Sequence, residues 1–296
     1  MRKMSKSRFA VGAVLAAASW FIGPIVALGA QDAPKPQFQA TGSPDAEKLG
    51  WRLATQAYTF RGGTFFEAID KTAAIGVKYI EAYPGQKVSK DIDEGMGPDI
   101  KKETIAAVKA KLKEKGVTLV NFGVTGIPGN EADARKFFDW AKEMGIETIV
   151  TESTPEFLDK LCGEYGISAA LHNHPNSWPP EKVLAACEGK SKRMGADADT
   201  GHWMRRNIKP IDGIKMLKGR IVSLHLKDLN EFGNGHDVPW GTGKGDVKAV
   251  LKELYAQGFK GVFSIEYEHQ FTLADLAACA AFFNNAAKDI AAGAGK

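Results

Sequence analysis

Ionisable side chains follow several apolar runs in the second half of the sequence. The carboxylates of Glu152, Asp199 and Glu266 stand at such positions, and so do the imidazoles of His172 and His225. Groups of this kind are costly to bury unless they pair with one another or bind a metal. With no thiolate among them, the oxygen and nitrogen atoms suit one divalent cation, which could be Mn²⁺, Mg²⁺, Co²⁺ or Zn²⁺.

The elements that must position these residues follow a repeating pattern from residue 50 onwards. Apolar, β-branched runs alternate with amphipathic stretches, and several of the latter stop at a glycine, as at Gly76, Gly116 and Gly145. Glycine is favoured just past a helix end because it accepts the left-handed conformation. The alternation predicts a parallel sheet with right-handed crossovers.

Eight such units predict a single-domain α/β fold, a (β/α)₈ TIM barrel over residues 50–296. An open doubly wound sheet is the alternative, but no Gly-x-Gly-x-x-Gly follows the first strand. The predicted strands span residues 51–60, 77–83, 117–124, 146–152, 167–174, 194–200, 220–228 and 260–268. Catalytic groups of TIM barrels come from the C-terminal ends of strands, so we expect the polar residues of strands 4 to 8 to share one pocket.

The first residues of the chain read as a targeting segment. Residues 1–30 combine a basic start with a long apolar run and small residues near Gly29, which predicts a secretory signal peptide; a retained membrane anchor is the alternative. Residues 31–49 are rich in proline and glycine and predict a linker. We therefore expect an exported protein, periplasmic or extracellular, with no membrane insertion after signal removal.

The charge of the chain argues against a nucleic-acid partner. The formal net charge is +4, and the four basic residues among the first thirty, where no acid occurs, account for all of it. A neutral mature chain lacks the basic stripe that nucleic-acid binding needs. Cys162, Cys187 and Cys279 lie in apolar runs and are expected to be buried as small hydrophobic residues.

Each candidate also has an ordinary structural explanation. Glu152 could cap a helix, and one of His172 and His174, which share a strand face, could be structural. Asp197 lies one layer below Asp199, and a hydrogen-bonded structural role is favoured for it. The remaining alternatives are a surface ion pair of Lys227 with Asp228, and Glu268 in place of Glu266.

Three motifs resemble a known family. "DTGHW" at the end of strand 6, "SLHLKD" on strand 7 and "FSIEYE" on strand 8 resemble the xylose isomerase-like TIM barrels, the sugar phosphate isomerase/epimerase superfamily. This superfamily includes ketose 3-epimerases, inosose dehydratases and endonuclease IV, and the likeness covers about residues 50–290. By motif match it implies a divalent metal held by Asp199, His225 and Glu266, with His202 contacting substrate oxygens.

One position departs from the family pattern. Members usually carry a metal-binding Glu at the end of strand 5, where this chain has His172 in "LHNHP". Either His172 takes that place or Glu152, on the adjacent strand, completes the set. Glu152 is favoured here because a second carboxylate suits both a hard cation and proton transfer.

The resemblance implies an isomerase or epimerase of a sugar or keto-sugar. The metal polarises the carbonyl as a Lewis acid, and a carboxylate, Glu266 or Glu152, removes the adjacent proton. His172, His174, His202 and Lys227 are the candidates for binding the substrate. Expelling a β-substituent instead would give a 3-keto-glycoside lyase, which export favours as the first alternative.

Two further alternatives remain. A barrel that binds sugar without turning it over is one. An endonuclease IV-like activity is disfavoured, because strands 3 and 4 lack the extra metal-binding histidines of that branch. Trp178, Trp203 and Trp240, in loops after strands 5 to 7, are candidate platforms for a sugar ring. The glycine-rich loop 230–246 is a candidate lid, and no feature indicates the oligomeric state.

Overall fold

The computed structural model of the chain describes residues 40–293. The predicted signal peptide, residues 1–30, lies outside the described residues, and so does the first part of the predicted linker. Within the described end of that linker, residues Pro44–Lys48 form a short helix, α1, whose Ala46 is buried. Among the described residues, no helix is both long and apolar enough to cross a membrane.

Eight parallel strands pair in chain order, and the last pairs with the first to close a barrel. The predicted (β/α)₈ barrel is therefore confirmed. The strands are β1 (Trp51–Gln56), β2 (Tyr79–Ala82), β3 (Thr118–Thr125), β4 (Thr148–Thr151), β5 (Ser168–His172), β6 (Met194–Asp197), β7 (Ile221–Leu226) and β8 (Gly261–Ile265).

Helices cover the outside of the barrel. They are α2 (Phe65–Ala74), α3 (Lys102–Lys115), α4 (Glu131–Met144), α5 (Leu158–Tyr165), α6 (Pro180–Ala186), α7 (Thr200–Arg205), α8 (Pro210–Met216), α9 (Val247–Ala256) and α10 (Leu273–Gly293). Gly116 and Gly145 end α3 and α4 in the left-handed conformation, with φ of 65° and 77°. A side chain at these positions would be strained, which explains the glycine at each helix end.

Two segments differ from the sequence prediction. Residues Ala57–Phe60 form a 3₁₀ helix and not the end of β1, because the side chain of Gln56 accepts a hydrogen bond from the backbone N–H of Tyr58. Helix α7 begins where the prediction had the end of strand 6. Asp199 is its N-cap and accepts the backbone N–H of His202 at 2.7 Å. The strand therefore ends at Asp197, two residues before this N-cap.

The strand register builds a polar layer inside the barrel. A small apolar cluster of Ala54, Val120 and Val262 is separate from the main core between the sheet and the helices. Polar residues are direct neighbours across adjacent strands, and residues paired in this way point to the same side of the sheet. These register pairs are Gln56 with Glu81, Glu81 with Asn121, His172 with Asp197, and His225 with Ser264.

Candidate active site

A cavity of about 520 Å³ opens at the C-terminal ends of the strands. One wall carries all of its acids and imidazoles and follows β4 to β8. These residues are Glu152, His172, His174, His202, Glu266 and Glu268. The opposite wall follows β1 to β3 and contains Gln56, Tyr58, Tyr83, Pro84 and the backbone of residues 123–126. The predicted convergence of the polar strand ends is thus seen in the structure.

Three buried residues, of which His172 lines the acidic wall, bring metal-ligand atoms together. One ligand atom each of His172, Asp199 and His225 lies within 4.8 Å of the other two. Glu266 completes the group, because its Oε2 lies 3.2 Å from Nδ1 of His225. All four residues are at least nine-tenths buried. Imidazole nitrogens and carboxylate oxygens in this combination are ligands for a divalent cation.

Carboxylates behind the two imidazoles fix which nitrogen faces the cluster. Nδ1 of His172 lies 2.9 Å from Asp197, and Nε2 of His225 lies 2.8 Å from Glu81. Each of these nitrogens donates to its carboxylate, so the other nitrogen of each ring faces the cluster. Nδ1 of His225 is buried and has no hydrogen-bond partner among the described residues. Burial lowers the pKa of His225, but Asp197, Glu81 and Glu266 outweigh it and raise that pKa well above its ordinary value. The position among these carboxylates therefore favours a positive charge, which a bound cation would supply, so the residues present suit the metal that the resemblance implies.

Glu81 is a functional candidate that the sequence analysis missed. It lies in the apolar run of β2 and is fully buried, and Gln56, Asn121 and Ser264 also donate to its carboxylate. An acid inside a strand that is otherwise apolar was the available signal. Its partner His225 is 144 residues away along the chain, so only the closed barrel reveals the pair.

Lys227 is buried between the carboxylates of the site. Its Nζ lies 2.6 Å from Asp199, 2.5 Å from Glu266 and 3.3 Å from Glu268. Burial alone would lower the pKa of Lys227, but Asp199 and Glu266 outweigh it and raise that pKa well above its usual range. Lys227 is therefore a buried permanent cation in contact with Glu266 and Glu268, which line the cavity, and it does not form the surface pair with Asp228.

His202 is held as a neutral hydrogen-bond donor. Arg205 donates from Nη1 to Nδ1 of His202 at 2.9 Å, so the hydrogen of the ring is on Nε2. Burial lowers the pKa of His202 to about 4, with Asp199 opposing the shift. Glu268, 2.9 Å from Arg205, holds the guanidinium in place. The arrangement suits the predicted contact of His202 with a substrate oxygen, and it explains Arg205, which the sequence analysis did not single out.

Glu152 lies with His174 and not with the metal-ligand cluster. Its Oε1 lies 2.8 Å from Nδ1 of His174 and accepts the hydroxyl of Ser177. Burial raises the pKa of Glu152, but the hydrogen bonds from Ser177 and His174 outweigh it and lower that pKa. A second group of possible metal ligands among the described residues, His172 with His174 and His202, also lacks Glu152. The geometry thus favours His172 over Glu152 at the position where the family has its strand-5 glutamate.

The predicted sugar platforms are corrected by the structure. Trp178, Trp203 and Trp240 are 8%, 2% and 3% exposed, so their rings pack in the protein and offer no face to a ligand. Trp178 also donates its indole N–H to the backbone of Glu152. The aromatic rings that line the cavity are Tyr58 and Tyr83, on the opposite wall.

The glycine-rich loop after β7 is fastened at both ends. Asp228 accepts the backbone N–H groups of Gly241, Gly243 and Gly245 at 2.9–3.0 Å. A Cβ atom at Gly243 would lie 2.3 Å from this carboxylate, so the backbone can wrap around it only as glycine. Asp237 accepts the N–H groups of Glu268 and His269. The candidate lid is therefore tied to the barrel, and neither His236 nor Asp237 lines the cavity.

Comparison with known proteins agrees with the barrel fold. The model of the family "Xylose isomerase-like TIM barrel" matches residues 69–285. A solved structure of an uncharacterized protein from Parabacteroides distasonis ATCC 8503 is 32% identical, with a TM-score of 0.66, and the match covers 80% of this chain and 99% of that one. No curated protein gives a match.

Two functionally described structures share the fold at low identity. An L-ribulose 3-epimerase is 15% identical over 82% of this chain and 96% of its own, with a TM-score of 0.60. The probable 3-DHS dehydratase AsbF of Bacillus anthracis, described as involved in petrobactin synthesis, is 13% identical over 79% and 99%, also with a TM-score of 0.60. With the barrel, its polar strand ends and the family match together, the chain belongs to the xylose isomerase-like TIM barrel family.

Proposed function

We propose that the chain is a divalent-metal-dependent enzyme that removes the proton next to the carbonyl group of a sugar or keto-sugar, with isomerisation or epimerisation as the outcome. The observation that carries the proposal is the buried cluster of His172, Asp199 and His225, joined by Glu266, of which His172 and Glu266 line the cavity. In this proposal these four residues hold the metal. When bound, a divalent cation supplies Lewis-acid polarisation of the carbonyl.

Charged and polar groups around the cluster orient the substrate. Lys227 is a buried ammonium beside Asp199 and Glu266, and it stabilises negative charge that develops on a substrate oxygen. His202 donates from Nε2 to a second oxygen, since Arg205 occupies its Nδ1. Both groups are held before substrate arrives, so no reorganisation is needed as charge develops.

Two carboxylates on the acidic wall, Glu266 and Glu152, are candidates for taking up the proton that is removed from the substrate carbon. Oε2 of Glu266 lies 2.5 Å from Lys227, which leaves this carboxylate poorly placed to accept a proton. Oε1 of Glu152 is paired with His174, whose Nε2 remains for a group in the cavity. We assign proton removal and return to the Glu152–His174 pair, with Glu266 as a metal ligand.

Elimination is the second candidate, and the His174 side chain favours it. This imidazole is 49% exposed at the cavity wall and is backed by Glu152, so it is able to give a proton to a leaving group. Removal of the same carbon-bound proton, followed by loss of a β-substituent, makes the enzyme a 3-keto-glycoside lyase. Export remains a proposal from residues 1–30 and is consistent with glycosides as substrates.

A substrate panel with the full-length protein tests the proposal. Elemental analysis is expected to give about one divalent metal ion per chain. Free ketoses, aldoses and 3-keto-glycosides are then incubated in D₂O and followed by NMR. Deuterium at the carbon next to the carbonyl, with an isomerised sugar, supports the epimerase, and a released aglycone supports the lyase. Turnover by a metal-free protein contradicts the proposal, and binding without exchange indicates a barrel that only binds sugar.

A further inference from the structure

The two walls of the cavity differ in chemistry. Acids, imidazoles and the proposed metal ligands all follow β4 to β8. The wall that follows β1 to β3 has no carboxylate, imidazole or ammonium among its lining residues, and its largest side chains are Tyr58 and Tyr83. A sugar bound at the cluster uses the first wall for its oxygens. The second wall offers the two tyrosine rings as stacking surface and no carboxylate, imidazole or ammonium group.

Tyr58 is held in place and keeps a free surface. Its backbone N–H donates to Gln56 at 2.9 Å, which fixes the 3₁₀ helix that carries it. The Arg61 guanidinium lies 5.0 Å from the centroid of the Tyr58 ring and donates to the backbone oxygen of Glu268 at 2.8 Å. The residue is nevertheless 40% exposed and lines the cavity, so it keeps surface for a ligand.

Tyr83 enlarges this surface. Its ring meets that of Tyr58 edge to face, with centroids 5.3 Å apart and planes at 82°. Edge-to-face pairs are a favoured arrangement of aromatic rings, so each tyrosine helps to hold the other in place. Residues 123–126 line the same cavity, and at Gly126 an added Cβ would meet only Ser153 Oγ, at 3.8 Å. The cavity that the two rings line is therefore open at Gly126.

We propose that Tyr58 and Tyr83 form a subsite for a second ring joined to the reacting sugar, so that the substrate is a glycoside and not a free monosaccharide. This inference rests on the proposed function in its keto-glycoside form, because it places a reacting keto-sugar ring at the metal-ligand cluster and a glycoside can carry its carbonyl only at a carbon other than the anomeric one. A cavity of about 520 Å³ lies within the ~300–1,000 Å³ range of pockets that bury drug-sized ligands. The second ring is a pyranose or an aromatic aglycone, both of which present a flat face to tyrosine.

The experiment compares ligands that differ only in the second ring. Mn²⁺-loaded full-length protein is titrated by NMR with methyl and phenyl glycosides of glucose, galactose and mannose, and with cellobiose and lactose. In at least one sugar series, we expect the phenyl glycoside or the disaccharide to bind roughly tenfold more tightly than the methyl glycoside. Whether the phenyl glycoside or the disaccharide binds more tightly shows whether the second ring is aromatic or a sugar. Equal dissociation constants in every series, or no binding, overturn the subsite.

Three variants locate the gain. Tyr58→Ala removes one ring of the proposed subsite, and Gly126→Leu fills the open space at position 126 of the same cavity. In both variants we expect the dissociation constant of the methyl glycoside, divided by that of the ligand with the second ring, to fall to about one. Tyr255→Ala is the matched control, because Tyr255 is 39% exposed on α9 and lies outside this cavity. It is expected to keep the ratio of the unchanged protein. If Tyr58→Ala is folded and keeps the preference for the second ring, the inference is contradicted.

The subsite and the proposed chemistry can fail separately. Deuterium exchange without any preference for a second ring leaves the proposed function standing and removes the subsite. A preference that disappears in Tyr58→Ala, with no exchange in any sugar, supports the subsite and removes the proposed function.

Discussion

At the scale of single residues, the site depends on two imidazoles that each have one nitrogen occupied. His172 is tied to Asp197 and His225 to Glu81, in both cases by a carboxylate on another strand. Pairing of this kind sets the tautomer and raises the basicity of the remaining nitrogen. His202 follows the opposite rule, since a cation donates to its Nδ1 and leaves a donor facing the cavity. Two of these three histidines thus share one role, as proposed metal ligands, and His202 has another.

Metal affinity distinguishes the two candidates for the fourth ligand. We expect His172→Asn to weaken Mn²⁺ binding by at least roughly tenfold, the loss that even outer-shell changes typically cause. Glu152→Gln is expected to bind Mn²⁺ as the unchanged protein does, because Glu152 is paired with His174 and Ser177. Titration calorimetry of the metal-free proteins measures both values. The reverse order of affinities would return Glu152 to the metal site.

Protonation of His202 gives a pH-dependent loss of stability. Burial lowers the pKa of His202 to about 4, below its ordinary value of 6.5, so the unfolded chain binds its proton first. The free energy of unfolding therefore falls as pH decreases from 6.5 towards 4, by roughly 3 kcal/mol in full. Urea denaturation of the unchanged protein and of His202→Gln across this range isolates the contribution. Parallel curves for the two proteins would contradict it.

At the scale of elements, short segments after the strands place the chemistry. Helix α7 begins directly after β6, and its N-cap Asp199 is also a proposed metal ligand. One carboxylate oxygen caps the helix while the other faces Lys227. The loop after β7 is shaped in a similar way, since three glycine N–H groups converge on Asp228.

The Asp228 anchor has a measurable stability. Asp228 is 1% exposed, and its loss would leave three N–H groups of the loop without their acceptor. With a cost of roughly 1–3 kcal/mol for each unsatisfied group, we expect Asp228→Ala to lower the free energy of unfolding by about 3 kcal/mol or more. Hydrogen exchange should accelerate at residues 241–245. Asp289→Ala, on the exposed side of α10, is the control and should change neither quantity.

Local patterns predicted the elements better than the contacts between them. The eight strand–helix units and the glycine helix ends follow from periodicity and capping, which are properties of neighbouring residues. Helix α7 was not predicted, because "DADTGH" reads as the continuation of a strand until Asp199 is seen to bond the N–H of His202. The pair of Glu81 with His225 and the burial of Trp203 depend on barrel closure, about which no short segment carries information.

At the scale of the whole molecule, the proposed metal site would link metal binding to folding. The proposed ligands come from β5, the start of α7, β7 and the end of β8, so an ion held by all four joins nearly half of the barrel. Any ligand that binds only the folded state raises the free energy of unfolding. Stability should therefore respond to metal even in the absence of substrate.

A thermal melt measures this linkage. At a free Mn²⁺ concentration one hundred times the dissociation constant, the gain is about 2.7 kcal/mol, which corresponds to roughly 5–10 °C in Tm for a domain of this size. The gain should vanish in His225→Asn, which removes a proposed ligand. A full gain in that variant would mean that the ion stabilises some other part of the barrel.

Lys227 has a consequence for the order in which the protein matures. Asp199 and Glu266 would repel each other in a newly collapsed barrel, but the ammonium between them cancels much of that repulsion. The Lys227 ammonium partly neutralises the site before any metal is bound. The barrel can therefore complete its folding in a compartment that is poor in free metal and acquire the proposed ion afterwards. Refolding in the presence of a chelator should then reach the native barrel, with metal uptake as a late and separate step.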